Sequence, residues 1–341
     1  MTKRLRNTIL GGAIALAVVL LGAVAWLWPM TLSGSPAEGT VHVPPGATVR
    51  QVADSIAANV DADFAVRVHR VLDLLDSDLT RREGAYRIDK GDTPLDVARR
   101  LRNHVQTPVR FTFNNVRTAR QFADRFGARF AAGGDAMMAA LRDTALLDSL
   151  GCDSCNVMCL LLPDTYEFYW NVTPDQLLRR MKKYHDQFWT DARKQKAANL
   201  GLTPTQVQII ASIVEEETAK ADEKPLVARL YINRLQQDMP LQADPTVKFA
   251  IGDFSIRRLT IPMTRVESPY NTYRITGLPP GPIRCAEKAT IDAVLDAPRH
   301  DYIYMCAKED FSGYHNFAAD YATHSANARR YQAALNARNI H

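Results

Sequence analysis

The chain has 341 residues, 46% of them hydrophobic and 23% charged, with a formal net charge of +5. That is ordinary globular composition with room for more than one domain, and it excludes a disordered or fibrous class. Lys3, Arg4 and Arg6 precede any acidic residue, and the remainder is nearly balanced, so the clustered basic face of a nucleic-acid binder is absent.

After those basic residues comes an apolar or glycine run over residues 9–28, ending in Trp26, Leu27 and Trp28. About 20 such residues suffice to cross a bilayer, and the preceding positive charge predicts a cytoplasmic N-terminus. A cleaved signal peptide is the rival. Ala23 and Ala25 have the small-x-small spacing, but the apolar run continues past them and exceeds a signal core of roughly 7–15 residues. The expectation is a stub and uncleaved anchor over residues 1–30, with all that follows outside the cytoplasm. Residues 31–39 (TLSGSPAEG) read as a linker.

Residues 40–106 alternate short strands and helices. A strand at 40–43 is followed by a helix capped by Thr48, an amphipathic helix over about 63–75, a strand at 84–88 and a helix opened by Thr93-Pro94. Further on, residues 108–113 alternate as a strand and 118–130 read as a helix. Asp135 caps a helix reaching about residue 150. Cys152, Cys155 and Cys159 then cluster. With no histidine close by, a disulfide is the expectation outside the cytoplasm, and Cys285 and Cys306 form a second pair or stay reduced. In 162–170 (LPDTYEFYW) aromatic and polar residues mix, either as a glycan platform or as a strand with one buried face. Thr173-Pro174 starts a charged helix expected to reach about residue 195.

The stretch most informative about chemistry is 203–249. Thr203-Pro204 is an N-cap followed by a first-turn proline. Val207, Ile210, Ala211 and Val214 recur at helical spacing, and EEET follows. Projection puts Glu217 on the apolar arc, with Glu215 and Glu216 outside it or at its edge and Glu216 directed towards solvent. A carboxyl group on a buried face has a raised pKa and can serve as a general acid. A paired or solvated helix end is the plainer alternative.

A second helix over 226–237 places Asn233 where it could orient a carboxylate or make an ordinary hydrogen bond. Pro245 holds Asp244 extended beside Gln242, in either a substrate-positioning role or a simple turn. The loop 268–283 (SPYNTYRITGLPPGPI) is dense in turn residues, and it offers Tyr270, Asn271 and Tyr273 as a cleft wall. A helix at 286–295 and a strand at 302–305 follow. His315, in GYHNF, is either cleft-facing or structural, and a helix over 321–338 closes the chain. Phosphate-binding glycine loops, H-E-x-x-H and G-x-S-x-G are absent.

The strings ASIVEEETA, VARLYINRL, MPLQADPTVKFAIG, SPYNTYRITGLPPGPI and LPDTYEFYW together resemble the YceG-like family of peptidoglycan lytic transglycosylases. The resemblance covers 107–341 as the catalytic domain and 40–106 as a LysM-like module, a glycan binder or a spacer. It implies an α+β fold behind a transmembrane helix. It also implies an inner-membrane protein with its catalytic domain in the periplasm, acting on glycan strands alongside peptidoglycan synthases and terminating nascent strands. In the family's E-x-E-T pattern the second glutamate is catalytic, and it falls on Glu217. Asp164, Thr165, Tyr166, Asn233, Gln242, Asp244, Tyr270, Asn271 and Tyr273 are the implied sugar contacts. The implied lyase reaction needs no metal or organic cofactor, and nucleic acid is not a partner. A glycan hydrolase using Asp244 or Asp164 as second carboxylate, and a non-catalytic peptidoglycan-binding scaffold, stay open.

Overall fold

The computed structural model describes residues 3–31, 33–256 and 258–338. The first two residues of the expected stub, Leu32 of the linker, Arg257 and the last three residues of the 107–341 domain, and the side chains of residues 3–9 lie outside the described set. Among the described residues the protein is mixed α+β, mostly helical, with three small two-stranded sheets. It divides into two compact units.

The first unit begins with α1 (Lys3–Thr31), which continues through Pro29. Its portion Leu10–Thr31 has a mean hydropathy of 2.4 and is exposed along residues 10–29, with Met30 buried in the core that follows. At 1.5 Å per residue that portion is about 33 Å long, enough for a single-pass anchor and equally for a signal sequence. Strand β1 (Gly39–Val43), helices α2 (Val49–Asn59) and α3 (Ala62–Leu74), strand β2 (Gly84–Ile88) and helix α4 (Pro94–Arg102) follow. β1 and β2 are antiparallel, with Val41 opposite Tyr86.

The starts of α2, α3 and α4 are written locally. Thr48 with Gln51 and Thr93 with Asp96 form capping boxes, and Asp61 accepts from the Phe64 N–H. Val43, Ile56, Phe64, Val68 and Leu72 are fully enclosed and form the core.

The second unit starts within β3 (Val109–Phe113), which pairs with β4 (Asp164–Phe168). Between those strands the single helix expected from Asp135 is two, α6 (Gly133–Ala140) and α7 (Thr144–Ser149), because Asp143 caps a new start. They follow α5 (Ala119–Gly127). The charged helix expected to reach residue 195 is likewise split, into α8 (Pro174–Phe188) and α9 (Asp191–Asn199). Trp189 is buried between them, and the Thr190 hydroxyl caps the second.

Helix α10 (Pro204–Glu217) is central. It packs on α9, α11 (Lys224–Gln236), α12 (Asp244–Ile251) and α13 (Lys288–Leu295). Every residue from Val207 to Val214 is buried, so the apolar arc read from periodicity is in fact burial all round. The two polar residues in that run are satisfied. Gln208 Nε2 donates to the Cys159 carbonyl at 2.7 Å, and Ser212 Oγ accepts from the Ile283 N–H at 3.1 Å. Antiparallel β5 (Tyr304–Ala307) and β6 (His315–Ala318), with Ala307 opposite His315, and α14 (Tyr321–Ala337) complete the unit.

The loop 268–283 owes Gly281 to crowding, since a Cβ there would run into the Cys155 carbonyl. All five cysteines are free thiols, so the disulfide expected among Cys152, Cys155 and Cys159 is not formed. Cys159 and Cys285 are buried instead, and burial pushes the Cys285 thiol up to about 12.

Candidate active site

Helix α10 ends on Glu217, because Thr218 turns extended immediately after it. Its carboxyl group faces a pocket of about 220 Å³. The walls come from α11 (Leu230, Tyr231, Arg234), the start of α12 and the residues before it (Leu241, Gln242, Asp244), Tyr273, β5 (Met305, Cys306, Ala307) and His315.

Tyr231, one turn before Arg234 on α11, donates its phenol hydrogen to Glu217 Oε1 at 2.7 Å. Burial raises the Glu217 pKa from 4.5 to about 7. The Asp244 charge pushes the same way, while the Tyr231 hydrogen bond and the positive charges of Lys248 and Arg234 oppose. Such a group holds a proton in neutral solution and can give it up or take it back, as a general acid–base must.

Three of the nominated sugar contacts share this pocket with Glu217, namely Gln242, Asp244 and Tyr273. The Tyr273 hydroxyl donates to Asp244 Oδ1 at 2.5 Å. Asp244 is the first residue of α12 rather than an extended pre-proline residue; the preceding Ala243 supplies the extended conformation instead. Gln242 adopts φ +51°, in the left-handed region, and its N–H donates to the Thr272 carbonyl.

The other nominees have different neighbours. Asp164 and Thr165 line a separate, shallow pocket of about 360 Å³, where the Asp164 carboxylate pairs with Lys288. Tyr166 is a core residue, stacked on Phe113 and donating to the Leu162 carbonyl at 2.6 Å. Asn233 is buried, and its amide donates to the His300 and Tyr302 carbonyls rather than to a carboxylate. Asn271 is fully enclosed and ties its own loop through the Thr264 and Val266 carbonyls. The Tyr270 ring lies 4.8 Å from that of Phe249.

The neighbours of Glu217 depart from the projection. Glu216 is not solvated. Arg117 Nε and a second guanidinium nitrogen grip its two oxygens at 2.8 and 3.0 Å, and Arg284 adds a contact at 2.8 Å. Arg284 also pairs with Glu215 at 3.0 Å, and Glu215 accepts the Glu287 N–H at 2.8 Å. The three consecutive glutamates thus divide, two neutralised by the buried Arg284 and the half-buried Arg117 and one left to the pocket.

Sequence reasoning passed over Tyr231 and Arg234 as pocket residues and left His315 open between a cleft-facing and a structural role; His315 lines the pocket. Tyr231 and Arg234 stand three apart in the VARLYINRL string, on one face of α11, and that spacing is the signal. Arg234 is a buried cation held by carbonyls, Ile303 at 2.6 Å and Leu241 at 2.8 Å, and burial lowers its pKa. Among the described residues no cluster of three or more His, Cys, Asp or Glu side chains is placed to hold a metal ion.

Residues 41–330 match the YceG-like family along most of the chain. The chain belongs to that family. It is 33% identical over 158 residues to an endolytic murein transglycosylase of Bacillus subtilis, a match covering 44% of this chain and 41% of that protein. It is 30% identical over 155 residues to an endolytic murein transglycosylase of Streptococcus pneumoniae, covering 43% and 27% respectively. The chain therefore spans less than half the length of these curated relatives. A crystal structure of a yceG-like protein from Listeria monocytogenes superposes with a TM-score of 0.55 at 22% identity, over 86% of this chain and 99% of that one. The two share a fold.

Proposed function

We propose that this chain is a membrane-anchored endolytic lytic transglycosylase that cuts peptidoglycan glycan strands between MurNAc and GlcNAc. The observation that carries the reading is the Glu217 carboxyl group, raised to about 7 and open to a polar pocket in a member of this family. The relatives' activity, murein transglycosylation, supports the substrate class.

Protonated Glu217 gives its hydrogen to the glycosidic oxygen, and the bond from MurNAc C1 to that oxygen breaks. Positive charge develops at C1, where oxocarbenium character is expected. The carboxylate then takes the hydrogen of the MurNAc 6-hydroxyl as O6 closes on C1. The products are a free GlcNAc hydroxyl and a 1,6-anhydro end, with Glu217 reprotonated and no water consumed. Because the nucleophile belongs to the substrate, one carboxyl group serves both steps. Tyr231 holds that group, and Gln242, Asp244 and Tyr273 are the sugar contacts within its pocket.

In this reading α1 anchors the protein in the inner membrane and the LysM-like segment 40–106 guides the 107–341 domain to the wall. There it would end nascent strands in company with peptidoglycan synthases.

Asp244 on the same pocket favours a second reading, hydrolysis with two carboxylates. Mass analysis of products from purified peptidoglycan tests both. Anhydro ends are expected, whereas products heavier by one water would mean hydrolysis. Glu217→Gln, folded by circular dichroism, should lose about 10²–10⁴-fold in rate. Normal turnover by that variant would remove Glu217 from the chemistry.

A further inference from the structure

The pocket holds a second carboxylate-backed side chain that the single-glutamate reaction does not use. His315, at the start of β6, lines the same pocket as Glu217. Its ring is clamped from behind. Glu223, only 3% exposed and just before α11, sits against both donors of the residue. One Glu223 oxygen accepts the His315 backbone N–H at 2.7 Å, and the other lies 2.9 Å from Nδ1.

A carboxylate can only accept hydrogen bonds, so this contact places the ring hydrogen on Nδ1 and leaves the Nε2 lone pair free in the neutral ring. Nε2 has no hydrogen-bond partner among the described residues, and the side chain keeps 16% exposure. The arrangement therefore offers one oriented acceptor to whatever fills the pocket.

We propose that His315, oriented by Glu223, is a substrate-binding residue whose Nε2 accepts a hydrogen bond from a sugar hydroxyl of the glycan next to the bond under attack. Glu223 is a positioning residue acting through it. This rests on the glycan-cleaving reading of the pocket and adds a specificity element to it. The competing explanation is a latch. Asp222 and Glu223 tie the segment after α10 to Tyr314 and His315, and such a tie could serve stability alone.

His315→Asn separates the two explanations. An asparagine amide can still donate to Glu223 from near the Nδ1 position, but it has nothing at Nε2. The full-length protein in detergent is compared with and without this substitution in two assays. The first is calorimetric binding of soluble, uncross-linked peptidoglycan strands in a Glu217→Gln background. The second is turnover with Glu217 intact. The loss of one neutral hydrogen bond predicts binding weaker by about tenfold, and kcat/KM lower by a similar factor expressed in KM. The melting temperature should stay near the parent's. His315→Gln, whose longer amide reaches the Nε2 position but releases Glu223, should melt lower and keep most of the binding.

Unchanged strand affinity and KM in a folded His315→Asn protein would leave only the latch and overturn the proposal. Should His315→Asn fail to fold, His315→Gln decides. Retained affinity supports the acceptor, and loss of affinity in a folded protein overturns it. Absence of any product from the parent would sink the proposed reaction, while the binding comparison would still judge His315.

Discussion

The two compact units solve the same folding problem with different materials. In the first, Ser35 is the one buried polar residue among those described, and the core is aliphatic and aromatic. Its helices α2, α3 and α4 are capped by residues three positions away. The second unit buries Glu223, Asn233, Arg234, Asn271 and Arg284 as well as the polar face of its central helix. Desolvating such groups costs several kcal/mol each unless partners are in place, so a fold that assembles them is spending stability on something other than folding. In the second unit, burial and the Asp244 charge raise the pKa of the Glu217 carboxyl group to about 7 against the opposing Tyr231 hydrogen bond and the positive charges of Lys248 and Arg234.

The sharpest way to break this contrast is Arg284→Met. It strips Glu215 of its cation and Glu216 of one of two. Removing one partner of a buried ion pair costs about 3–5 kcal/mol, read as a lower denaturant midpoint of the second unit. A change below about 1 kcal/mol would mean that the arginine is solvated and the contrast overstated.

Next is the stability of Glu217→Gln against pH. The folded carboxyl titrates at about 7 against an ordinary 4.5, so between those values the unfolded chain is ionised while the folded one still holds its proton. The contribution of this group is complete below the lower value and is lost as pH rises through the upper. Wild type should therefore match Glu217→Gln near pH 4 and fall behind it by up to roughly 3 kcal/mol above pH 8. Parallel unfolding curves across that range would show Glu217 to be unperturbed.

Much of this was written in the sequence, and the misses among the polar residues of the site share a cause. The Thr203-Pro204 start fixes where α10 begins, and its phase carries to Glu217 thirteen residues later, so a pocket-facing carboxyl group was legible from local pattern. The fate of Glu216 was not. Its partners Arg117 and Arg284 lie 99 and 68 residues away in sequence, and nothing in the helical period announces them. Asn233 and Asn271 misled for the same reason, since an amide's role depends on which distant carbonyl it meets. In the first unit, where the caps and the apolar faces of the helices are set by near neighbours, the element order was readable almost throughout.

Smaller effects refine the comparison. Tyr231→Phe removes the donor that favours ionised Glu217, so the Glu217 pKa should rise further. The alkaline limb of the rate profile should then move to higher pH, while the rate falls about tenfold as the carboxyl group loses its orienting bond. A limb that moves to lower pH would contradict the sign. At the bottom of the scale, Thr48→Ala should cost the first unit about 1 kcal/mol through its lost cap and leave kcat on soluble strands unchanged. A drop in kcat would show that the units share more than a chain.

The left-handed backbone at Gln242 has a consequence of an evolutionary kind. For a residue with a Cβ this conformation costs roughly 1–2 kcal/mol, a cost that glycine escapes. A one-residue change to glycine would therefore ease the backbone, yet it would remove an amide from the wall of the Glu217 pocket. A lineage drifting under selection for folding alone would slide towards glycine here. The strained position thus acts as a recorder: glutamine persists only where its side chain is used, and its replacement in a descendant would mark a pocket released from its task.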